Sequence, residues 1–439
     1  MLTLKLVVLL ILTVPVPLLT ISTAHADGGF PLSVIDDFGR NVTIKAPAAR
    51  IVSTAPSNTE ILFAVGAGNR VVGVTRYCDY PPVVPEKVKK GEIALIGGYA
   101  DPSLEGVVAL NPDLVLAATD LQYEFVSALQ NRGVVVVALN PKTLNDIIRD
   151  LALVGTVSGN VAEANSLVEN LQHRFSYVSE RIARTTVKPK LYYELWYDPL
   201  MSFGSNTLAD ELITKAGGTN LFHDAASMYP TVDSEMVIQK DPEMIVVSVG
   251  YMGGVSKTDF EKRAGWSNIT AVKEGKIYTI DENLIVRQGP RVCDGLENLA
   301  SILHPELFTG TINYNSSIVI ASNSSVFAVI YDDTRSQLNF SIIGRGTSAS
   351  VKVNIDKRFL KGSPIVLVDG IETTPLVSEN QTAFAVNFTT TLSTHKVVVG
   401  GSQTIPEFSQ HSIAGILLVA VTAVLMITIS MSKLHRRDN

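Results

Sequence analysis

Cysteine is almost absent: 439 residues contain two, Cys78 and Cys293. Neither belongs to a CxxC or zinc-ligand spacing, so a disulfide scaffold, a redox motif and a structural zinc site are all excluded. Histidine is scarce too, with seven in the chain. His173, His223, His304 and His395 are scattered, none at metal-ligand spacing with another, so each reads as a solvated or core histidine and no metal site is expected. The signatures of common enzymes are missing: there is no GxSxG, no HExxH and no phosphate-binding GxxxxGKS/T. No catalytic residue is nominated and no resident cofactor is implied. Charge is also thin, at 18% Asp, Glu, Lys and Arg with a net charge of −6. No basic stripe interrupts it, which argues against nucleic acid as a partner.

Long apolar runs occur only at the two ends. Lys5 is the single charge before the run Leu6 to Ile21, and Ala24-His25-Ala26 supplies a small-x-small cleavage site. Residues 1–26 therefore read as a secretory signal, with Asp27 first in the mature chain. No cysteine follows it, which argues against a lipid anchor. Ile413 to Met431 is uncharged and long enough to span a bilayer as a helix. The expected span is 412–431, with a tail at 432–439 whose Lys433, Arg436 and Arg437 stay on the cytoplasmic side. The chain between would face outward, anchored at the cell surface. Ile405-Pro406-Glu407-Phe408 is similar to a short motif of archaeal surface proteins whose C-terminal segment is processed.

Between these ends the pattern alternates. A hairpin is expected at Ser33 to Ile44 around Asp36-Asp37-Phe38-Gly39. From Ile51 onward short β-type runs alternate with helical ones, which predicts a parallel sheet with helices on its faces. Pro56 breaks the first strand, and Ser57 or Asn58 is placed to cap the helix that follows. The alternation stops at Leu144 to Ala183, where two helical patterns flank Ser158-Gly159-Asn160. The second, Val161 to Ile182, carries Leu167, Leu171, Phe175 and Val178 at helical spacing and would be about 33 Å long. That suits a strut between two lobes better than a crossover. The alternation resumes at Lys190 and closes with a helix over Val292 to Leu303. From Thr311 seven short β-type runs follow, from Ile318 to Val399, which predicts a small β-sandwich. The expected fold is thus α/β: a lobe at 27–155, a connecting backbone helix within 156–187, a second lobe at 188–308, then a β-sandwich-like stalk at 311–403. Sequons at Asn315, Asn323, Asn339, Asn380 and Asn387 crowd the last region, with Asn41 and Asn268 upstream, so glycosylation is expected.

Four aromatics, Tyr77, Tyr99, Trp196 and Tyr229, fall in loops that follow strands or introduce helices. Ligands of open α/β sheets bind at those ends, and aromatic faces suit a broad flat ligand. The competing account of each ring is that it packs its own loop onto its lobe. Cys78 and Cys293 fall one in each lobe. A bridge between them would tether the lobes, and free thiols near the ligand are the default.

Several blocks resemble one family. They are RIVSTAPSNTEILFAVGAGNRVVGVTRYCDYPP at Arg50 to Pro82, IGGYADPSLEGVVALNPDLVLA at Ile96 to Ala117, YPTVDSEMVIQKDPEMIVVS at Tyr229 to Ser248 and IYTIDENLIVRQGPRVCDGLENLASILHPE at Ile277 to Glu306. In this order they resemble the substrate-binding proteins of ABC importers for vitamin B12, haem and ferric siderophores, most of all the cobalamin-binding kind. The resemblance covers roughly residues 35–308 and implies a class III periplasmic-binding-protein fold. It implies partners too: a macrocyclic ligand, probed as cobalamin or cobinamide with haem or a ferric siderophore as alternatives, and the permease and ATPase subunits. It further implies ligand contacts at Tyr77, Tyr99 and Tyr229. Arg287 and Arg291 match a basic segment of the family's second lobe and would fork onto a phosphate or carboxylate, unless one of them pairs with Asp294. Glu105 and Glu235 match the two glutamates by which such proteins dock on the permease. The competing function is a surface-anchored structural or adhesion protein, which the fused sandwich and anchor would suit.

Overall fold

The computed structural model describes residues 29–250, 257–315, 317–332, 335–343, 348–391 and 394–402. The expected signal segment, the apolar stretch 412–431, the motif at Ile405 and the tail lie outside the described residues. Among the described residues no helix is long and apolar enough to cross a membrane.

The entry hairpin forms as expected, with Leu32–Ile35 antiparallel to Asn41–Ile44. Asp36 closes its turn by accepting from the backbone of Phe38 and Arg40, and its second oxygen accepts from the amide of Ala138 at 2.9 Å. One short polar side chain thus shapes the turn and fixes it to the first lobe. That lobe is a five-stranded parallel sheet in the order Ala94–Leu95, Val71–Val74, Ile51–Ser53, Leu114–Ala118, Val136–Leu139. The central strands are buried on both faces, which is why Ile51-Val52-Ser53 and Leu114 to Ala118 read as unbroken runs rather than alternating ones.

The helix Pro56–Ala64 differs from expectation at its start. Pro56 occupies the first turn, where its missing N–H costs nothing, and no side chain caps the end. Asn58 points inward instead, and its amide donates to the carbonyls of Leu116 and Ala117 at 3.1 and 2.9 Å. Ser57 makes no cap either. Asn58 thus serves the neighbouring strand rather than its own helix end.

Leu144–Ser158 begins with a capping box between Thr143 and Asp146. It ends at Gly159, whose φ of 73° is a left-handed conformation that glycine takes without strain. Asp150 on this helix is fully buried. One of its oxygens lies 3.3 Å from Arg149, the other meets no donor, and the Asp37 carboxylate of the hairpin turn sits beside it. Burial first, and that neighbouring charge second, push the Asp150 carboxyl up to about 8.

The strut is continuous from Val161 to Ile182. Ala164, Leu171, Arg174 and Val178 are its buried positions. The second lobe carries a four-stranded parallel sheet in the order Thr219–Asn220, Lys190–Glu194, Met244–Val249, Ile277–Asp281. The helix Val292–Leu303 seals it against the strut. There Arg174 donates to the buried Glu297 at 2.9 Å and to the half-buried Asp294 at 2.6 Å.

The described residues between 310 and 402 form two five-stranded antiparallel sheets that share one apolar core. Among the described residues ten strands stand where seven were expected. Those missed are Gly310–Asn315, Ile371–Thr373 and Leu376–Glu379. All three lie at sheet edges, and the last two are mostly exposed, so they lack the apolar alternation that marks a half-buried strand. The region expected as a stalk is docked onto the strut. Phe327 stacks on Phe308 with ring centroids 4.6 Å apart, and Tyr177 of the strut meets Phe327 edge-on at 6.3 Å. The Tyr177 hydroxyl donates to the carbonyl of Val326, and Arg181 lies 4.6 Å over the Tyr177 ring. Of the sequons, Asn41, Asn268, Asn323 and Asn380 are exposed.

Candidate functional site

Both parallel sheets direct their strand ends into one cleft. Thr119 follows Leu114–Ala118, Lys142 follows Val136–Leu139, Leu195 follows Lys190–Glu194, and Ile285, Val286 and Gln288 follow Ile277–Asp281. All of them line a cavity of about 530 Å³. That is mid-range for a site that swallows a sizeable organic ligand, roughly 300–1,000 Å³. The lining is mainly apolar: Leu121, Leu195, Phe203, Leu208, Met228, Tyr229, Ile285 and Val286. Thr119, Asn206, Thr207 and Gln288 add neutral polar groups, and Lys142 supplies a charge.

Of the four expected aromatics Tyr229 lines the cavity, and Tyr99 stands behind its wall at Thr119. Tyr229 lines the cleft, half exposed, with its ring edge-on to Phe203 at 6.0 Å. Tyr99 stands across from it on the first lobe. Its hydroxyl shares a hydrogen bond of 2.8 Å with Thr119, and its carbonyl accepts from Gln122. Burial raises the Tyr99 phenol above its usual pKa, against the Thr119 hydrogen bond, and the nearby Tyr229 adds to the rise. Both phenols are therefore neutral donors at physiological pH. Tyr77 and Trp196 do not line this cavity. Tyr77 is exposed beneath Arg76, whose guanidinium lies 5.8 Å from the ring. Trp196 folds back on its own hairpin, donating to the carbonyl of Asp198 at 2.8 Å with its ring 5.4 Å from Tyr197.

The two arginines are committed elsewhere than the sequence suggested. Arg287 donates to Glu60 at 2.9 Å and to Asp79 at 2.6 Å. Arg291 forks onto Glu60 at 2.8 and 2.7 Å and lies 4.0 Å over the Tyr80 ring. Burial alone would weaken the hold of Arg287 on its proton. The hydrogen bonds to Asp79 and Glu60 more than reverse that, so its pKa lies above the usual guanidinium value. Asp294, the partner weighed from sequence, is taken by Arg174. Two guanidiniums of one lobe thus face two carboxylates of the other with no net charge. Glu60 escaped sequence reading because it sits in an apolar helical run and its partners are more than 200 residues away.

Cys78 and Cys293 are free, and both are buried rather than open to the cleft. Cys78 is held by the hydroxyls of Thr59 and Thr75. Burial pushes both thiols up, so neither presents the thiolate that reacts or binds metal. No group of three or more metal-ligating side chains is assembled among the described residues. Glu105 and Glu235 are both exposed and both stand in the first turn of a short helix, Leu104–Ala109 and Ser234–Lys240. Each helix is capped by the preceding polar residue, Ser103 and Asp233. The two carboxylates thus occupy equivalent places on the two lobes.

Residues 51–284 match the periplasmic binding protein family. The chain is 31% identical over 287 residues to an uncharacterized ABC transporter substrate-binding lipoprotein of Bacillus subtilis, an alignment that spans 64% of this chain and 87% of that one. It is 26% identical over 290 residues to a cobalamin-binding protein of Halobacterium salinarum, spanning 64% and 77% of the two chains. Among solved structures it is similar to a periplasmic heme-binding protein of Roseiflexus sp. RS-1, with a TM-score of 0.52, 26% identity, and coverage of 59% of this chain and 99% of that one.

Proposed function

The chain belongs to the periplasmic binding protein family, and from that premise we propose that its cleft captures a corrinoid, cobalamin or cobinamide, for delivery to an ABC importer. Members of the family bind and hand over a substrate without transforming it, and the chain is not an enzyme. The observation that carries the corrinoid reading is the charge-poor cleft. A corrinoid is a broad ring edged with neutral amides. It suits apolar walls, the Tyr229 phenol and the neutral polar groups Thr119, Asn206, Thr207 and Gln288. Haem propionates or an anionic ferric siderophore would call on several cations. Arg287 and Arg291, in the loop beside the cleft wall, are already neutralised by Glu60 and Asp79. The heme-binding structural relative keeps haem as the second reading.

Calorimetry on the purified chain tests this. Cyanocobalamin and dicyanocobinamide should bind one to one, while haem and a ferric catecholate should bind more weakly. Tighter binding of either anion than of both corrinoids would reject the corrinoid reading.

Delivery requires a docking face, and Glu105 with Glu235 supplies it. A pair of exposed carboxylates held apart by a stiff strut is matched to a two-fold partner with a cation on each half. In a reconstituted importer the double substitution Glu105→Ala with Glu235→Ala should leave corrinoid affinity unchanged and remove ligand-stimulated ATP hydrolysis. Normal transport by that variant would dismiss the docking role and favour a surface-adhesion function.

A further inference from the structure

Glu60 is the sole charged residue of the helix Pro56–Ala64, and its side chain is 1% exposed. All the hydrogen bonds that its carboxylate accepts among the described residues come from the other lobe, from Arg287 and Arg291. Both arginines lie in one loop, which runs directly on from the cleft wall: Val286 and Gln288 line the cavity on either side of Arg287. The loop backbone rests on the first lobe as well. A Cβ added at Gly289 would lie 3.5 Å from the carbonyl of Ser57. A second tie runs the opposite way. Glu211, on the second lobe's helix Leu208–Lys215, accepts from the amide of Leu144 at 2.9 Å. Leu144 opens the long helix of the first lobe, where the backbone dipole favours a carboxylate. Lys142 and Leu208 line the cavity close by in sequence. The first lobe therefore sends Glu60 across, with Asp79 beside it on Arg287, and the second sends Glu211 back, so that the ties bracket the cleft.

We propose that Glu60 is a positioning residue for ligand capture: its crossing to Arg287 and Arg291 fixes the angle between the lobes and holds Val286 and Gln288 in the cavity wall, so the cleft is formed before ligand arrives. Glu211 is the lesser tie of the pair, since it holds one amide where Glu60 holds two guanidiniums. The inference rests on ligand capture in this cleft. Neither glutamate lines the cavity, so their effect on binding is indirect. An apparent dissociation constant rises in inverse proportion to the fraction of molecules in the competent arrangement. If release of Glu60 leaves about a tenth of the chains correctly set, affinity falls about tenfold.

The test uses the full chain and its variants Glu60→Ala, Glu60→Gln and Glu211→Gln, with three readouts: amide exchange over 286–291, small-angle scattering with and without cyanocobalamin, and cyanocobalamin affinity. The wild-type chain should scatter alike in both states. Glu60→Ala should exchange faster over 286–291, bind roughly tenfold more weakly and contract on adding ligand. Glu60→Gln keeps an acceptor and should recover part of each effect, and Glu211→Gln should show the smallest change. Wild-type affinity and wild-type exchange in Glu60→Ala would overturn the proposal. If Glu60→Ala does not fold, unaltered exchange in Glu60→Gln overturns it. If the wild-type chain binds no corrinoid, the ligand reading fails on its own, and exchange and ligand-free scattering still decide the role of Glu60.

Discussion

Where the two lobes meet, charge joins them; where the strut meets the sandwich, aromatic rings do. Glu60 takes two guanidiniums from across the cleft, and Arg174 takes two carboxylates from the closing helix. Phe308, Phe327 and Tyr177 pack ring to ring at the other junction. The difference is one of specificity against tolerance. A buried carboxylate accepts few arrangements, because a misplaced partner leaves a charge without solvent or counter-ion. Such a joint fixes an angle. Rings gain mainly from burial and contact and accept small rotations, so such a joint fixes proximity. The cleft needs the angle, whereas the sandwich needs only to stay in place.

The largest effect should come from breaking the ring joint. Phe327 is fully buried, and Phe327→Ala should cost about 3–5 kcal/mol in chemical denaturation of the full chain. Ligand affinity should hold at temperatures where the variant is folded. A loss under about 1 kcal/mol would show the two parts to be joined by the chain alone.

A smaller effect lies inside the first lobe, where a buried carboxylate responds to pH as a buried ring does not. The folded Asp150 carboxyl titrates near 8, above its ordinary value of 3.8. The folded state therefore binds the proton more tightly than the unfolded state does. This contribution favours folding at acid pH and is lost as pH climbs from about 4 through about 8. Asp150→Asn should raise the melting temperature by a few degrees at pH 8 and leave it unchanged at pH 4. Equal melting at both pH values would mean that Asp150 is charged in the fold.

The smallest effects lie in the cleft. Tyr99→Ala and Tyr229→Ala should each weaken corrinoid binding by roughly 1 kcal/mol, while Trp196→Ala should leave it unaltered. Calorimetry with Trp196→Ala weaker than Tyr229→Ala would move the site towards the hairpin at Trp196.

Much of the architecture could be read from residue order. The alternation from Ile51 predicts both parallel sheets, and Leu167, Leu171, Phe175 and Val178 mark the strut, which spans Val161 to Ile182 as expected. These are local periodicities, and burial on one face enforces them. What could not be read depends on distant partners. Asn58 looks like a cap because nothing nearby says that Leu116 will stand over it. Arg287 and Arg291 look like free cations because Glu60 is far off in the chain. At the site, Tyr99 and Tyr229 could be picked out as loop aromatics. Gln288 follows the predicted strand at Ile277, where a list of positions at the sheet ends finds it, whereas Phe203 follows the short hairpin strand Leu200–Met201, which no sequence pattern marks.

One consequence of the sandwich's topology is mechanical. Its last strand, Thr394–Gly401, is not at an edge: it lies between Gln337–Ile343 and Pro364–Val368, antiparallel to both. Tension on the chain beyond Ser402 therefore runs along that strand. It strains two ladders of hydrogen bonds in parallel shear instead of opening one rung after another. A pull from that end therefore meets both ladders before it can draw the strand out of the sheet.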